Sequence, residues 1–138
     1  MIRDGQTILF QGDSVTDAGR LSDPEGLGFG YVRMAAKTVA ALHPERNIQV
    51  LNRGNSGNRV LDLEARWEQD CVALKPDILF IYIGINDTWR RYDSDITLSA
   101  EDFEASYRRI IVRAKEGTGA RIILIEPFVL PVAAGQET

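Results

Sequence analysis

Short apolar runs alternate with longer segments of helical periodicity along the chain. Four runs have the length and the apolar content of strands: residues 7–11 (TILFQ), 48–52 (IQVLN), 77–84 (DILFIYIG) and 121–126 (RIILIE). The third run is almost continuously apolar, which is typical of a strand that is buried on both faces of its sheet. The pattern therefore predicts four strands, separated by helices.

Three segments between these runs have the pattern of helices. Residues 30–43 are rich in alanine and end before Pro44. Residues 60–74 have one apolar face, formed by Val60, Leu63, Trp67, Cys71 and Leu74. A third helix is predicted to follow Ser99 as its N-cap, with Asp102 in the first turn, and to run to about residue 115. Its inward side is formed by Phe103, Tyr107, Ile110, Ile111 and Ala114, and Gly117 and Gly119 are expected to end it.

The order of these elements is strand, helix, strand, helix, strand, helix, strand. This order predicts an α/β fold with parallel strands, right-handed crossovers and helices on both faces of the sheet. Ligands of such sheets bind outside the carboxyl ends of the strands. Polar sequences stand at three of these ends: GDS after the first strand, NRGNSGN after the second and GIND after the third. We therefore predict a functional site at this edge of the sheet.

Composition narrows the class of protein. The 138 residues suffice for one domain with a core and not for two. The net charge is −4 and the arginines are scattered among acids, which argues against a nucleic-acid partner. No apolar run approaches the roughly 18 residues that span a bilayer, and residues 1–10 lack a signal-peptide core, so we expect a cytoplasmic protein without a membrane partner. Cys71 is the single cysteine, which excludes an intrachain disulfide and predicts a buried thiol.

The three polar sequences together suit acyl transfer, which needs a nucleophile, a base and hydrogen-bond donors aimed at the developing oxyanion. Ser14 follows a Gly-Asp turn at the end of the first strand, and its backbone N–H is also a candidate donor. Gly57 can offer an unobstructed backbone N–H. The side-chain amide of Asn86 can donate to the same oxygen, which a carboxylate could not do. Ser14 and Asn86 also have plainer explanations, as a turn serine and a loop-capping amide.

These three sequences resemble the conserved blocks of the GDSL family of esterases and lipases, also called SGNH hydrolases. FQGDSVTD matches the first block, NSGN the second and GIND the third, in the family's order and spacing. The resemblance implies that Ser14 is the nucleophile and that Ser14, Gly57 and Asn86 form the oxyanion hole. It also implies a three-layer α/β/α sandwich with a flavodoxin-like, five-stranded parallel sheet, and a single SGNH-hydrolase-like domain over residues 1–138.

The family's last block, Asp-x-x-His, supplies the base and the acid that orients it, and it has no match in this chain. The only histidine, His43, is predicted at the end of the first helix, on the side away from the carboxyl ends of the strands. A histidine there is explained by the helix dipole. We therefore expect a domain that is incomplete at its C-terminus, with the tail PFVLPVAAGQET leading into further chain, and little hydrolysis by these 138 residues alone.

Four further residues are assigned to the substrate pocket: Asp13, Asn55, Asp87 and Trp89. Asp13 and Asp87 are also explained as braces that bond the N–H groups of their loops. Trp89 suits the wall of an acyl or sugar pocket and equally suits the rim of the domain. Nothing in the spacing of the aspartates demands a cation, so we expect neither a metal nor a cofactor.

Two functions stay open at this point. The first is a serine esterase that removes a short acyl group, such as acetyl from a carbohydrate, through an acyl-enzyme on Ser14, with a small-molecule ester as its partner. The alternative is a non-catalytic domain that binds an acyl or carbohydrate ligand in the same pocket. A nucleotide or phosphate binder ranks last because the chain has no Walker lysine motif. The sequence leaves the acyl length, the alcohol portion and the oligomeric state undecided.

Overall fold

A computed structural model describes residues 2–128 of the chain, so most of the predicted tail lies outside the described residues. All four predicted strands are present: β1 (Thr7–Gly12), β2 (Gln49–Gly54), β3 (Ile78–Tyr82) and β4 (Arg121–Leu124). They pair in parallel in the order β2–β1–β3–β4. The predicted parallel α/β sheet is therefore confirmed.

Six helices connect the strands of the described chain: α1 (Ser14–Asp17), α2 (Tyr31–Leu42), α3 (Val60–Ala65), α4 (Trp67–Asp70), α5 (Ile85–Asp93) and α6 (Ala100–Thr118). Short 3₁₀ turns occur at Arg20–Ser22 and Val72–Leu74. The hydroxyl of Ser99 accepts the Asp102 N–H at 3.0 Å, as its predicted N-cap role requires. Gly117 lies inside α6 and the helix ends at Gly119, so the prediction that both glycines end it was wrong for Gly117. Helix α5 was not predicted, because GIND was interpreted as a loop.

The predicted single helix over residues 60–74 is wrong as a continuous element. The chain leaves helical geometry at Arg66, with φ −99° and ψ 6°, and again at Cys71, with φ −131° and ψ −65°. The apolar face predicted for this segment nevertheless lies in the core, since four of its residues are fully buried: Val60, Leu63, Trp67 and Cys71. At Arg66 the break coincides with hydrogen bonds to Gly12 and Asn58, which are contacts to other segments that periodicity does not register.

Helices flank both faces of the sheet, as the three-layer α/β/α sandwich requires. Leu9, Leu79 and Ile81 face the layer of α3, α4 and α6, while Ile8 and Phe10 face α2. Burial along β3 alternates: Leu79 and Ile81 are fully buried, whereas the residues on its α2 side are only partly buried. Among the described residues, β3 is therefore fully buried on the side of α3, α4 and α6 and partly buried on the side of α2, where Ile78 and Phe80 pack against the cluster of Ile8, Phe10 and Val32.

The single cysteine and the hydropathy of the helices concern the core and the membrane, respectively. Cys71 is buried, as predicted, and burial raises the pKa of its thiol to about 12, so the group stays neutral. No helical segment within residues 2–128 has the length and hydropathy of a transmembrane helix.

Candidate active site

Three strands end at the same level of the sheet. In the strand register Gly12 pairs with Gly54 on one side and with Tyr82 on the other. Three segments therefore leave the sheet side by side: the β1 turn (residues 12–14), the β2 loop (residues 55–58) and the start of α5. These are the segments in which the sequence places its candidate residues.

Ser14 is the first residue of α1 and is exposed at this edge. Asp13 before it is buried, and its carboxylate accepts the Val15 N–H at 3.0 Å as the N-cap of the helix. Burial raises the pKa of Asp13, against the opposing effect of the hydrogen bond from Val15. Asp13 is thus the N-cap of the helix whose first residue, Ser14, is exposed to solvent.

The end of β2 packs directly on α1, and the β2 loop continues from it. A Cβ at Gly54 would lie 2.2 Å from the Asp17 backbone nitrogen, so only glycine permits this approach. The Asn55 N–H donates to the Gly12 oxygen at 3.0 Å. The carboxylate of Asp17 accepts the Ser56 hydroxyl at 2.6 Å. The β1 turn and the β2 loop are therefore joined by backbone and side-chain hydrogen bonds.

Gly57 stands at the outer point of the β2 loop with φ +83°, a left-handed conformation that favours glycine. Nothing lies within 4 Å of the place that a side chain would occupy. The backbone N–H groups of Gly57 and Ser14 make no hydrogen bond to any residue that the structure describes. Two backbone donors are thus available on the same edge of the sheet.

Asn86 reaches the β2 loop from the first turn of α5. Its Nδ2 donates to the Asn58 carbonyl oxygen at 3.0 Å. This contact uses one of the two N–H bonds of the amide. The hydrogen bond fixes the orientation of the amide next to the loop that carries Gly57.

Asp87 holds α5 to the start of α3. Both of its carboxylate oxygens accept the Val60 N–H, at 3.0 and 3.2 Å. Burial raises the pKa of Asp87 to about 6, and the Val60 hydrogen bond and the Arg59 charge only partly offset that rise. Asp87 also lines a cavity of about 310 Å³ with Gly84, Thr88, Arg91, Ser99, Phe103 and Pro127.

Two of the predicted pocket residues, Asn55 and Trp89, make no described side-chain contact with Ser14, Gly57 or Asn86. Asn55 is exposed in the β2 loop, where its backbone rather than its side chain makes the described contact. Trp89 is partly buried on α5, between Thr88 and Arg91, which line the cavity, and it is not itself one of the lining residues. Neither residue is joined by a described hydrogen bond to Ser14, Gly57 or Asn86.

Sequence reasoning missed Arg66. Its guanidinium donates to the Gly12 oxygen at 3.2 Å and to the Asn58 side-chain oxygen at 2.7 Å. It also forms an ion pair with Asp70 at 3.0 Å. The only signal in the sequence was the spacing of Arg66 and Asp70, four residues apart, which suits an ion pair on a helix but says nothing about the site.

His43 lies far from this edge. It follows the last residue of α2, which has 12 residues and therefore spans about 18 Å. The other end of α2 is the one near the site, because Gly30 packs against Ala18 beside α1. No cluster of histidine, cysteine and acidic side chains within residues 2–128 could hold a metal ion. The described site thus combines an exposed hydroxyl with backbone and side-chain N–H donors, and no imidazole of this chain is near it.

The chain matches known proteins over most of its length. The GDSL-like lipase/acylhydrolase family matches residues 10–138. An acetylxylan esterase from Geobacillus stearothermophilus is 43% identical over 139 residues, covering 94% of this chain and 63% of the esterase. This chain therefore spans a little under two thirds of that relative's length.

Solved structures agree with these matches. The acetylxylan esterase from Geobacillus stearothermophilus superimposes with a TM-score of 0.84 at 42% identity, over 92% of this chain and 62% of that one. Catalytic mutants of that enzyme replace a serine, and an aspartate and a histidine at its positions 191 and 194. An α/β hydrolase from the metagenome of Lake Arreo superimposes with a TM-score of 0.83 at 36% identity, over the same shares of both chains.

Proposed function

Because the chain belongs to the GDSL-like lipase/acylhydrolase family, we propose that it carries the nucleophile and the oxyanion hole of a serine esterase. Ser14 is the nucleophile, and the N–H groups of Ser14, Gly57 and Asn86 receive the oxyanion. The substrate class is a carboxylic ester with a short acyl group, in the first place an acetyl group on a carbohydrate.

One observation carries this proposal: the three groups lie on adjacent strand ends, and each has a donor or nucleophile to spare. The backbone N–H groups of Ser14 and Gly57 have no described acceptor, and the Asn86 amide has a second N–H beside its bond to Asn58. Donors that are fixed before the reaction stabilise a developing oxyanion without reorganisation. A nucleophilic hydroxyl beside several such donors is the combination that acyl transfer needs.

The reaction follows in two steps. The Ser14 oxygen attacks the ester carbonyl carbon, its proton passes to a base, and the carbonyl oxygen becomes the oxyanion held by the three donors. The carbon–oxygen bond to the alcohol breaks, and the alcohol leaves with that proton. Water then attacks the acyl-enzyme in the same way, which releases the carboxylic acid and restores Ser14.

The base is the part that these residues do not provide. His43 is about a helix length away, and Asp13 is turned toward Val15 as an N-cap. In the related acetylxylan esterase, catalytic mutants change an aspartate and a histidine with Asp-x-x-His spacing. We propose an equivalent imidazole supplied from outside residues 1–138, and slow hydrolysis by these residues alone because the loss of a triad member commonly costs several orders of magnitude.

The acetyl-carbohydrate assignment rests on the relatives. A protein that is 43% identical over 94% of this chain is an acetylxylan esterase. The cavity lined by Asp87, one residue after Asn86, also has the apolar ring of Phe103 and the charge of Arg91 in its wall. A small acyl group and a polar alcohol suit such a mixed lining.

The test compares the 138-residue chain with an extended chain, in which residues 1–138 are joined to the C-terminal part of the Geobacillus acetylxylan esterase that carries the aspartate and histidine. Acetate release from acetylated xylo-oligosaccharides and hydrolysis of p-nitrophenyl acetate are measured for both. We expect turnover by the extended chain that Ser14→Ala abolishes. Ser22→Ala is the matched control, since Ser22 is an exposed serine whose hydroxyl bonds the Gly19 oxygen.

A folded extended chain without Ser14-dependent turnover would refute the esterase. That result would favour the second candidate, a domain that binds an acyl or carbohydrate ligand without hydrolysis. The observation in its favour is the absence of any imidazole of this chain near Ser14. It predicts that the 138-residue chain binds acetylated xylo-oligosaccharides in calorimetry with equal affinity before and after Ser14→Ala.

A further inference from the structure

We propose that Arg66 is a positioning residue, whose guanidinium holds the β1 turn and the β2 loop at the spacing that the oxyanion donors need. The inference rests on the proposed esterase function and adds a residue to it. Arg66 touches no reacting atom. It acts through Gly12 and Asn58, which flank the nucleophile and one of the donors in sequence.

The contacts of Arg66 converge on two of the three segments of the site. Nη2 donates to the Gly12 backbone oxygen at 3.2 Å, two residues before Ser14. Nε donates to the side-chain oxygen of Asn58 at 2.7 Å, one residue after Gly57. Nη1 donates at 3.0 Å to the side-chain oxygen of Gln11, which is fully buried at the end of β1. One rigid fork thus spans the ends of both segments.

Asn58 extends this link to the third segment. Its side chain accepts from Arg66, and its backbone oxygen accepts the Asn86 amide at 3.0 Å. A shift of Asn58 would therefore move the Asn86 donor together with the Gly57 donor. Because one ångström of misplacement can cost about a hundredfold in rate, a residue that fixes this spacing matters for turnover.

The β2 loop needs such support because its own contacts are few. Residues 55, 56 and 57 are exposed, and Gly57 has no neighbour at its Cβ position. The backbone N–H of Asn55 donates to the Gly12 oxygen, and that of Asn58 donates to the Asn55 oxygen. The Ser56 hydroxyl donates to the Asp17 carboxylate. Among the described residues, Arg66 is the side chain that donates hydrogen bonds both to Gly12 of the β1 turn and to Asn58 of the β2 loop.

Asp70 lets the guanidinium stay in place as a cation. Its carboxylate lies 3.0 Å from Nη1, and its backbone oxygen accepts the Gln11 amide at 2.6 Å. Burial lowers the pKa of Arg66, and the Asp70 carboxylate opposes that shift, so the group remains protonated. A lysine would keep the charge but has no planar fork for three acceptors in different directions.

The first arm of the test is amide hydrogen exchange in the 138-residue chain. We expect Arg66→Met and Arg66→Lys to raise the exchange rates of the backbone N–H groups of Asn55 and Asn58 about tenfold or more. The backbone N–H groups of β3 should exchange within twofold of their rates in the unmodified chain. Arg109→Met is the control for the loss of an arginine that donates twice to one carboxylate, since Arg109 donates to both oxygens of Glu64 on α3, away from both loops. Exchange at Asn55 and Asn58 that equals the control would overturn the proposal.

The second arm is the Ser14-dependent hydrolysis of p-nitrophenyl acetate by the extended chain. We expect both Arg66 variants to lower kcat about tenfold to a hundredfold with KM nearly unchanged, whereas Arg109→Met lowers neither. A kcat equal to that of the control would also overturn the proposal.

If Arg66→Met unfolds the chain, Arg66→Lys decides, because it keeps the charge and most of the stem. An extended chain without any Ser14-dependent turnover refutes the esterase, and the exchange rates then decide the positioning role separately.

Discussion

The side-chain amide of Asn86 donates to the backbone oxygen of Asn58 at 3.0 Å. This bond joins the segment after β3 to the segment after β2, and it places the amide beside the loop that presents Gly57. A residue that looks like a loop cap in the sequence is therefore oriented by a neighbouring strand end. The relationship gives the proposed oxyanion hole its third donor and leads to the first prediction.

Removing the Asn86 donor should lower turnover more than substrate binding. In the extended chain we expect Asn86→Ala to reduce kcat about a hundredfold to a thousandfold, the usual loss for one oxyanion-hole donor. Asn86→Asp should be at least as impaired, because a carboxylate cannot donate and would face the Asn58 oxygen. Kinetics with p-nitrophenyl acetate measure both, with Asn47→Ala as the control at an exposed site near Asp4. A kcat within threefold of the unmodified chain would show that Asn86 is structural.

Gly54 at the end of β2 and Gly57 in the β2 loop should differ in how much stability is lost when each is replaced by alanine. A Cβ at Gly54 would meet the Asp17 nitrogen at 2.2 Å, so Gly54→Ala should cost about 3 kcal/mol of unfolding free energy. Gly57 has open space and only its φ of +83° opposes a side chain, so Gly57→Ala should cost about 1 kcal/mol. Urea unfolding of both variants measures this. Equal losses would contradict the close packing of Gly54 on α1.

The carboxyl of Asp87 should make stability depend on pH. Its pKa in the folded chain is raised to about 6 from an ordinary value of 3.8. The folded state therefore binds more protons than the unfolded state between about pH 4 and pH 6, and stability contributed by this group falls as pH rises through that window. Above about pH 6 the carboxylate is ionised in both states and the contribution is constant.

Asp87→Asn removes this titration and keeps an oxygen for the Val60 N–H. Relative to the unmodified chain, the variant should gain about 1 kcal/mol of unfolding free energy between pH 4 and pH 7, less than the full shift implies because solvent screens the partly exposed group. Urea unfolding at pH 4, 5, 6 and 7 provides the comparison. A difference between the two proteins that stays constant with pH would contradict the raised pKa.

His43 should have no part in the reaction. It lies about 18 Å along α2 from the end that packs beside α1. We expect His43→Ala to change the Ser14-dependent rate less than twofold, in both the 138-residue chain and the extended chain. A tenfold loss, with an unchanged melting temperature, would identify His43 as the base and disprove an external imidazole.

Most of the fold follows from the order of apolar runs. The sequence predicts the four strands, α2 and α6 within a few residues, because their periodicity and caps are local properties: Ser99 caps α6 through a contact three residues away. The interruption of residues 60–74 was not predictable from such signals. Arg66 leaves the helix where it bonds Gly12 and Asn58, and neither partner is a neighbour in sequence.

The candidate site divides in the same way. By itself the sequence determined the residue types at the three strand ends, and hence the choice of Ser14, Gly57 and Asn86, because parallel strands must bring those ends to one edge. Tertiary structure decided how the groups are held. The bond from Asn86 to Asn58, the packing of Gly54 on α1 and the bridge of Arg66 all join residues that are distant in sequence. Such contacts depend on distances of a few tenths of an ångström between separate segments, which no local pattern of hydrophobic and polar residues encodes.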